Sequence, residues 1–70
     1  MGETIQIVVN GEPRQTPPDI PVVKLVEQMG LDPGRVAIER NLEILPRSRW
    51  QETRVAAGDR FEIVHFVGGG

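Results

Sequence analysis

Asn10-Gly11 closes a run in which apolar and polar residues alternate, and this pairing leaves the start of the chain little choice of fold. Over Thr4 to Val9, Ile5, Ile7 and Val9 fall on one face and Thr4, Gln6 and Val8 on the other. That period of two predicts a strand with one buried face. Asn-Gly is the strongest short-range signal for a two-residue hairpin, because both central residues of a type I′ turn need positive φ. Glu12 to Gln15 is therefore the returning strand. Pro13 lies inside it and has no N–H for a ladder, so this strand belongs at a sheet edge. Pro17-Pro18 ends the pairing.

Val22, Leu25, Val26 and Met29 recur at the spacing of one helical stripe. Valine-rich Ile20 to Val26 also reads as a strand, but Gly30 followed by Pro33 suits a helix end. Two starts are open: Asp19 as a cap, or Pro21 at the first helical position. Leu31-Asp32-Pro33-Gly34 has turn composition. Val36-Ala37-Ile38 and Glu43-Ile44-Leu45 are short strands, and Asn41 between them tolerates the left-handed geometry of a tight hairpin. Ser48 and Gln51 have capping-box spacing, which predicts a short helical turn carrying Trp50, its ring packed on the domain. Ala57-Gly58-Asp59 is a turn, and Asp59 and Glu62 read as turn and surface residues. Arg60 to Val67 is the last strand, with Phe61, Ile63 and His65 on one face and Glu62, Val64 and Phe66 on the other.

Hairpin, helix, short strands and final strand assemble most economically as a two-layer α+β unit. The expectation is a mixed sheet of four to five strands with one helix across it. A right-handed crossover through the helix places the last strand beside the first, parallel to it. That is a β-grasp, or ubiquitin-like, fold, occupying residues 1–67, with residues 68–70 as a flexible glycine tail.

The chain has 70 residues, enough for a single domain with a small core. It has no cysteine and one histidine, which excludes disulfides and thiolate chemistry and leaves no donor set for a zinc site. No catalytic constellation assembles, since His65 has no nucleophile to activate. The formal net charge of −2, with signs interspersed, argues against a nucleic-acid surface. Arg47, Arg49 and Arg54 cluster around Trp50, but three arginines make a weak footprint, and a solvated turn with a packed Trp is the simpler reading. Met1-Gly2-Glu3-Thr4 does not begin like a signal peptide, and no apolar run is long enough to span a bilayer. The expectation is a cytoplasmic protein without nucleic-acid or membrane partners.

Val67-Gly68-Gly69-Gly70 ends the sequence. Glycine has no Cβ, so such a tail can extend, turn through positive φ and enter a narrow slot. It leaves the α-carboxylate of Gly70 sterically bare. A carboxylate is inert as an acyl donor until an oxygen is exchanged for a better leaving group, as adenylation by ATP achieves. The activated acyl group can then take sulfur or an amine. Gly70 is thus the candidate modified residue, Gly68 and Gly69 are the threading residues, and another protein supplies the catalyst. Val64 and Phe66, with Val67 beside them, are the candidate docking residues, because exposed apolar side chains near the tail root suit a partner surface.

The chain resembles the sulfur carrier proteins of the thiamine pathway, the ThiS family, within the ubiquitin-like β-grasp superfamily. The resemblance runs nearly the whole length. It rests on Val9-Asn10-Gly11-Glu12, Gly30-Leu31, Val36-Ala37-Ile38-Glu39, Leu45-Pro46-Arg47-Ser48 with Trp50, Gly58-Asp59, and Glu62-Ile63-Val64 leading through Phe66-Val67 to the glycines. Two departures are local: Pro21 where such helices often start at Thr or Ser, and Asn41-Leu42 where the turn is often Asn-Gly. The resemblance implies a carrier rather than an enzyme, binding no cofactor itself. An E1-like adenylyltransferase uses ATP and Mg²⁺ on the Gly70 carboxylate. A cysteine desulfurase or related donor supplies sulfur to form a thiocarboxylate, and thiazole synthase consumes it. Alternatives are a carrier for another pathway, such as molybdopterin, a modifier conjugated through Gly70, or an interaction module with an idle tail.

Overall fold

In the computed structural model, which describes residues 3–66, the alternating run forms β1 (Ile5–Val9) and returns as β2 (Glu12–Thr16). Asn10 and Gly11 lie at φ 52° and 82°, and Val9 pairs directly with Glu12, as a two-residue type I′ turn requires. Helix α1 (Val22–Gln28) buries Val22, Leu25 and Val26 completely, with Met29 partly buried at the end of the same stripe. It ends in a Schellman motif. Gly30 sits at φ 76°, its N–H donates to the Glu27 carbonyl (3.0 Å), and the Leu31 N–H donates to the Val26 carbonyl (3.2 Å).

The helix starts differently from either sequence expectation. Its N-cap is Pro21, one position before the first helical residue, and no side chain caps it. Asp19 lies outside at φ 63°. The orphan donors of the first turn go instead to a distant loop: Val22 N–H to the Thr53 carbonyl (2.9 Å) and Val23 N–H to that of Trp50 (3.4 Å). A backbone segment thereby does the work of the missing capping side chain.

After a 3-10 turn at Pro33–Arg35, capped by Asp32 through the Gly34 N–H (2.9 Å), come β3 (Val36–Arg40) and β4 (Glu43–Leu45). A second 3-10 turn, Arg47–Arg49, leads to Trp50, and the described chain finishes with β5 (Arg60–His65). The proposed capping box is absent. Pro46 is the N-cap, no side chain caps this turn, and Ser48 lies inside it. Pro46 has φ −61° and ψ 145°, so the extended residue that enters the turn is set by the proline ring.

The strands form one sheet in the order β2-β1-β5-β3-β4. β1 and β5 are parallel neighbours, the other pairs are antiparallel, and the Pro13 strand lies at an edge. With one helix across one face, this is the expected β-grasp. The sheet contributes Ile7, Val9, Val36, Ile38, Phe61 and Ile63 to the core, the helix adds its stripe, and the loop before β5 adds Trp50 and Val55. Trp50 is 2% exposed and donates its indole N–H to the Leu45 carbonyl (3.0 Å). It packs on the domain as expected.

Strand β5 is fastened at its entry and its middle by three side chains. Asn10 Oδ1 accepts the Ile63 N–H (2.7 Å), while its Nδ2 donates to the Ile63 carbonyl (3.2 Å). Asn41 Oδ1 accepts the Arg60 N–H (2.9 Å). Asp59, read from sequence as a surface turn residue, is 6% exposed. Its carboxylate accepts the Ala56 N–H (2.9 Å), Arg40 Nε (3.1 Å) and Asn41 Nδ2 (3.3 Å). A carboxylate can be buried there because charged and neutral donors surround it.

The β3–β4 turn copies the first hairpin with one difference. Asn41 and Leu42 take φ 52° and 72°, so a leucine occupies the position where Gly11 sits in the other turn. A side chain in that region costs about 1–2 kcal/mol, and glycine gives back about 0.5–1 kcal/mol through backbone entropy. Leu42→Gly should therefore stabilise the protein by about 0.5–1 kcal/mol, a rise of a few degrees in a thermal melt. A lower melting temperature would contradict this account of the turn. Trp50→Ala removes a buried ring and should cost about 3–5 kcal/mol, read as a lower denaturant midpoint at unchanged slope.

Candidate functional site

The antiparallel register of β3 and β5 decides which side chains face away from the helix. Val36 pairs with His65, Ala37 with Val64, Ile38 with Ile63 and Glu39 with Glu62. Alternation sends Ile38 and Ile63 into the core and leaves Ala37, Glu39, Glu62 and Val64 on the open face. On the far side of β3, Ile44 pairs with Glu39 and joins that face. The result is an apolar surface built from Ile44 (78% exposed), Val64 (60%) and Phe66 (54%) around Ala37. Leu42, 88% exposed, stands on the adjoining turn.

The surface is hollowed. A shallow groove of about 360 Å³ is lined by Ala37, Ile38, Glu39, Ile44, Glu62 and Val64. A second hollow of about 200 Å³ runs past Ile44, Leu45 and Pro46 to Trp50 and Phe66. Phe66 follows β5 directly, and its N–H donates to the Arg35 carbonyl (2.8 Å), which fixes the backbone where the chain leaves the sheet. Large side chains this exposed stay dry only if another molecule covers them.

Val64 and Phe66 therefore take the exposed positions expected of them. Val67, Gly68, Gly69 and Gly70 lie outside the described residues, as does the boundary placed between residues 67 and 68. His65 is exposed at the end of β5. Among the described residues, no group of three or more His, Cys, Asp or Glu could hold a metal ion, and no helix is long and apolar enough to cross a membrane.

The arginine cluster is occupied with structural contacts. Arg47 donates to the carbonyls of Pro33 (3.1 Å) and Val36 (2.8 Å), with its guanidinium 5.1 Å from the centroid of the Trp50 ring. Arg49 pairs with Glu52, and Arg54 donates to the Asp19 carbonyl. Those donors are spent on the fold rather than held out for phosphates.

Sequence reasoning missed Ile44, Ala37 and Glu39 as members of the face. The signal was present: a two-residue turn at Asn41-Leu42 forces Glu39 opposite Ile44, which puts Ile44 away from Ile38 and the core.

A five-stranded sheet with parallel β1 and β5, one helix across it and an apolar open face defines a ubiquitin-like β-grasp domain. The chain belongs to the ThiS family, whose model matches residues 7–70. The family is that of the ThiS sulfur carrier proteins of thiamine biosynthesis. The fold superposes with a TM-score of 0.81 on the crystal structure of the thiamine biosynthesis protein ThiS from Geobacter metallireducens, at 30% identity over 94% of this chain and 100% of that one. The sulfur carrier protein ThiS of Bacillus subtilis is 51% identical over 35 residues, 50% of this chain and 53% of the relative. A thiazole synthase of Paramagnetospirillum magneticum is 44% identical over 66 residues, which is 94% of this chain. The chain spans only 20% of the length of that relative.

Proposed function

We propose that this chain carries sulfur on the α-carboxylate of Gly70 for assembly of the thiazole ring of thiamine. An E1-like adenylyltransferase that uses ATP and Mg²⁺ activates the tail. A carboxylate oxygen attacks the α-phosphorus, pyrophosphate leaves, and an acyl-adenylate forms. A sulfur nucleophile supplied by a cysteine desulfurase or related donor then displaces AMP, leaving a C–S bond where a C–O bond stood. Thiazole synthase takes the sulfur from the resulting thiocarboxylate. These steps run in the cytoplasm.

The observation that carries this reading is the family match, which extends through the glycines to Gly70. The geometry agrees with it. Phe66 is the last residue described, its N–H held by the Arg35 carbonyl, and any four residues span at most about 14 Å when extended. An enzyme that takes the Gly70 carboxylate therefore works within about that distance of Phe66, which stands at the border of the open face. Thiazole as the acceptor is supported by the thiazole synthase among the relatives. The domain serves as an address, and the tail is the reactive part.

The proposal requires a free α-carboxylate on Gly70, which the intact mass of the protein isolated from its own cells would establish. Deleting Gly70 withdraws the carboxylate by about 3.5 Å. A misplacement of 1 Å at a reacting centre can cost about 100-fold in rate. The truncated chain should thus melt like the wild type yet lose ATP–pyrophosphate exchange with the adenylyltransferase. Exchange at the wild-type rate without Gly70 would end the carrier reading.

Docking is tested separately with Phe66→Asp. Because the ring is 54% exposed, the variant should fold with a stability change within about 0.5 kcal/mol. Its binding to the adenylyltransferase should weaken by about 2 kcal/mol or more, as for an aromatic interface anchor. Unfolding of the variant, or unchanged binding, counts against a docking role for this residue.

A further inference from the structure

Glu39 on β3 and Glu62 on β5 stand directly opposite each other on the open face. Directly opposed residues hold their Cβ atoms about 4.5–5.5 Å apart, and like charges so placed destabilise a sheet. Neither carboxylate is neutralised within the described residues. The ion pairs found there are Lys24–Glu27, Arg35–Asp32, Arg40–Asp59 and Arg49–Glu52. Arg60 lies on the same face two residues before Glu62, yet its head forms no ion pair with either acid. Both carboxylates line the apolar groove together with Ala37, Ile44 and Val64.

This arrangement limits what can cover the groove. A partner that seals it takes two like charges out of water, and an apolar lid would leave them buried and unpaired, which is very costly. A second copy packed face to face about a two-fold axis through the pair would set carboxylates against carboxylates. A guanidinium answers both problems. Its planar fork carries five N–H donors, enough to span two adjacent carboxylates, and it remains charged at any working pH.

We propose that the Glu39–Glu62 pair is a receptor for an arginine of the adenylyltransferase, which covers the open face while it holds the tail. This inference rests on the function proposed above and assigns the two acids to partner selection rather than to tail chemistry. The apolar residues supply contact, and the acids reject any partner that lacks the cation. The enzyme is the occupant because the face borders Phe66, four residues before the carboxylate that the enzyme must reach.

The test is Glu39→Gln with Glu62→Gln in one chain, measured against the purified adenylyltransferase of the same organism. The free double variant should melt at or above the wild-type temperature, since the repulsion is gone. Its Kd should rise roughly 30-fold at low salt, the loss expected for a desolvated charge pair. That gap should narrow as salt is added. In ATP–pyrophosphate exchange, KM for the carrier should rise while the rate at saturating carrier stays near wild type, because the tail is unchanged. Glu27→Gln, on the helix side, removes a single charge away from the groove and should bind as the wild type does. Equal affinity of double variant and wild type overturns the inference, as does an equal loss with Glu27→Gln, which would mean general charge steering. In both cases wild-type exchange still upholds activation of the tail, the step on which the carrier function rests. A wild-type chain that neither binds nor supports exchange overturns the inference and that function together.

Discussion

Strand β5 has neighbours on both sides, and the turns of both neighbouring hairpins reach onto it with asparagine side chains. Asn10 uses its carboxamide as a backbone mimic, taking the Ile63 N–H and serving the Ile63 carbonyl. The parallel β1–β5 ladder itself is short, pairing Val8 with Arg60 and Val9 with Phe61. The carboxamide extends it past the point where β1 has turned away. Asn41 does the matching service at Arg60, and its own N–H reaches the Arg60 carbonyl (2.8 Å). Both asparagines can do this because left-handed backbone geometry turns them at the tip of a two-residue turn. The residues that close the hairpins also join them to the central strand.

The open face depends on that joint. Register between β3 and β5 decides that Val64 is exposed and Ile63 buried, and a slip of one residue would exchange them. The fastening of Arg60 by Asn41, with Asp59 held by Arg40 and the Ala56 N–H, sets the register at the entry of β5. The contact between Phe66 and the Arg35 carbonyl holds its exit. A strand pinned at both ends presents Val64 and Phe66 at fixed positions, so this surface is already ordered in the free domain.

Most of the fold could be read from local chemistry. Asn10-Gly11 with alternating isoleucines gave the hairpin, Pro13 gave its edge position, and Gly30 ended the helix. What escaped the sequence was satisfied at long range. The start of α1 has no capping side chain because carbonyls of Trp50 and Thr53, far along the chain, accept its donors. Asp59 looked like a surface turn residue because its charge partner, Arg40, lies on another strand. The open face was only half legible. Val64 and Phe66 follow from alternation in a single strand, whereas Ile44 and the opposed acids require the pairing between strands.

The placement of β5 also governs how the chain comes to be folded. This strand is fifth of five in the described chain and third of five in the sheet. Before it leaves the ribosome, β1–β2 and β3–β4 are separate hairpins with no ladder between them, and an isolated hairpin is marginal in water. The helix then has only fragments of a surface to rest on. Arrival of Phe61 and Ile63 joins the halves and completes the core in one event, through contacts distant in sequence. A nascent chain cut short inside β5 would thus hold two unjoined hairpins, and quality control would meet it as an unfolded polypeptide rather than as a smaller domain.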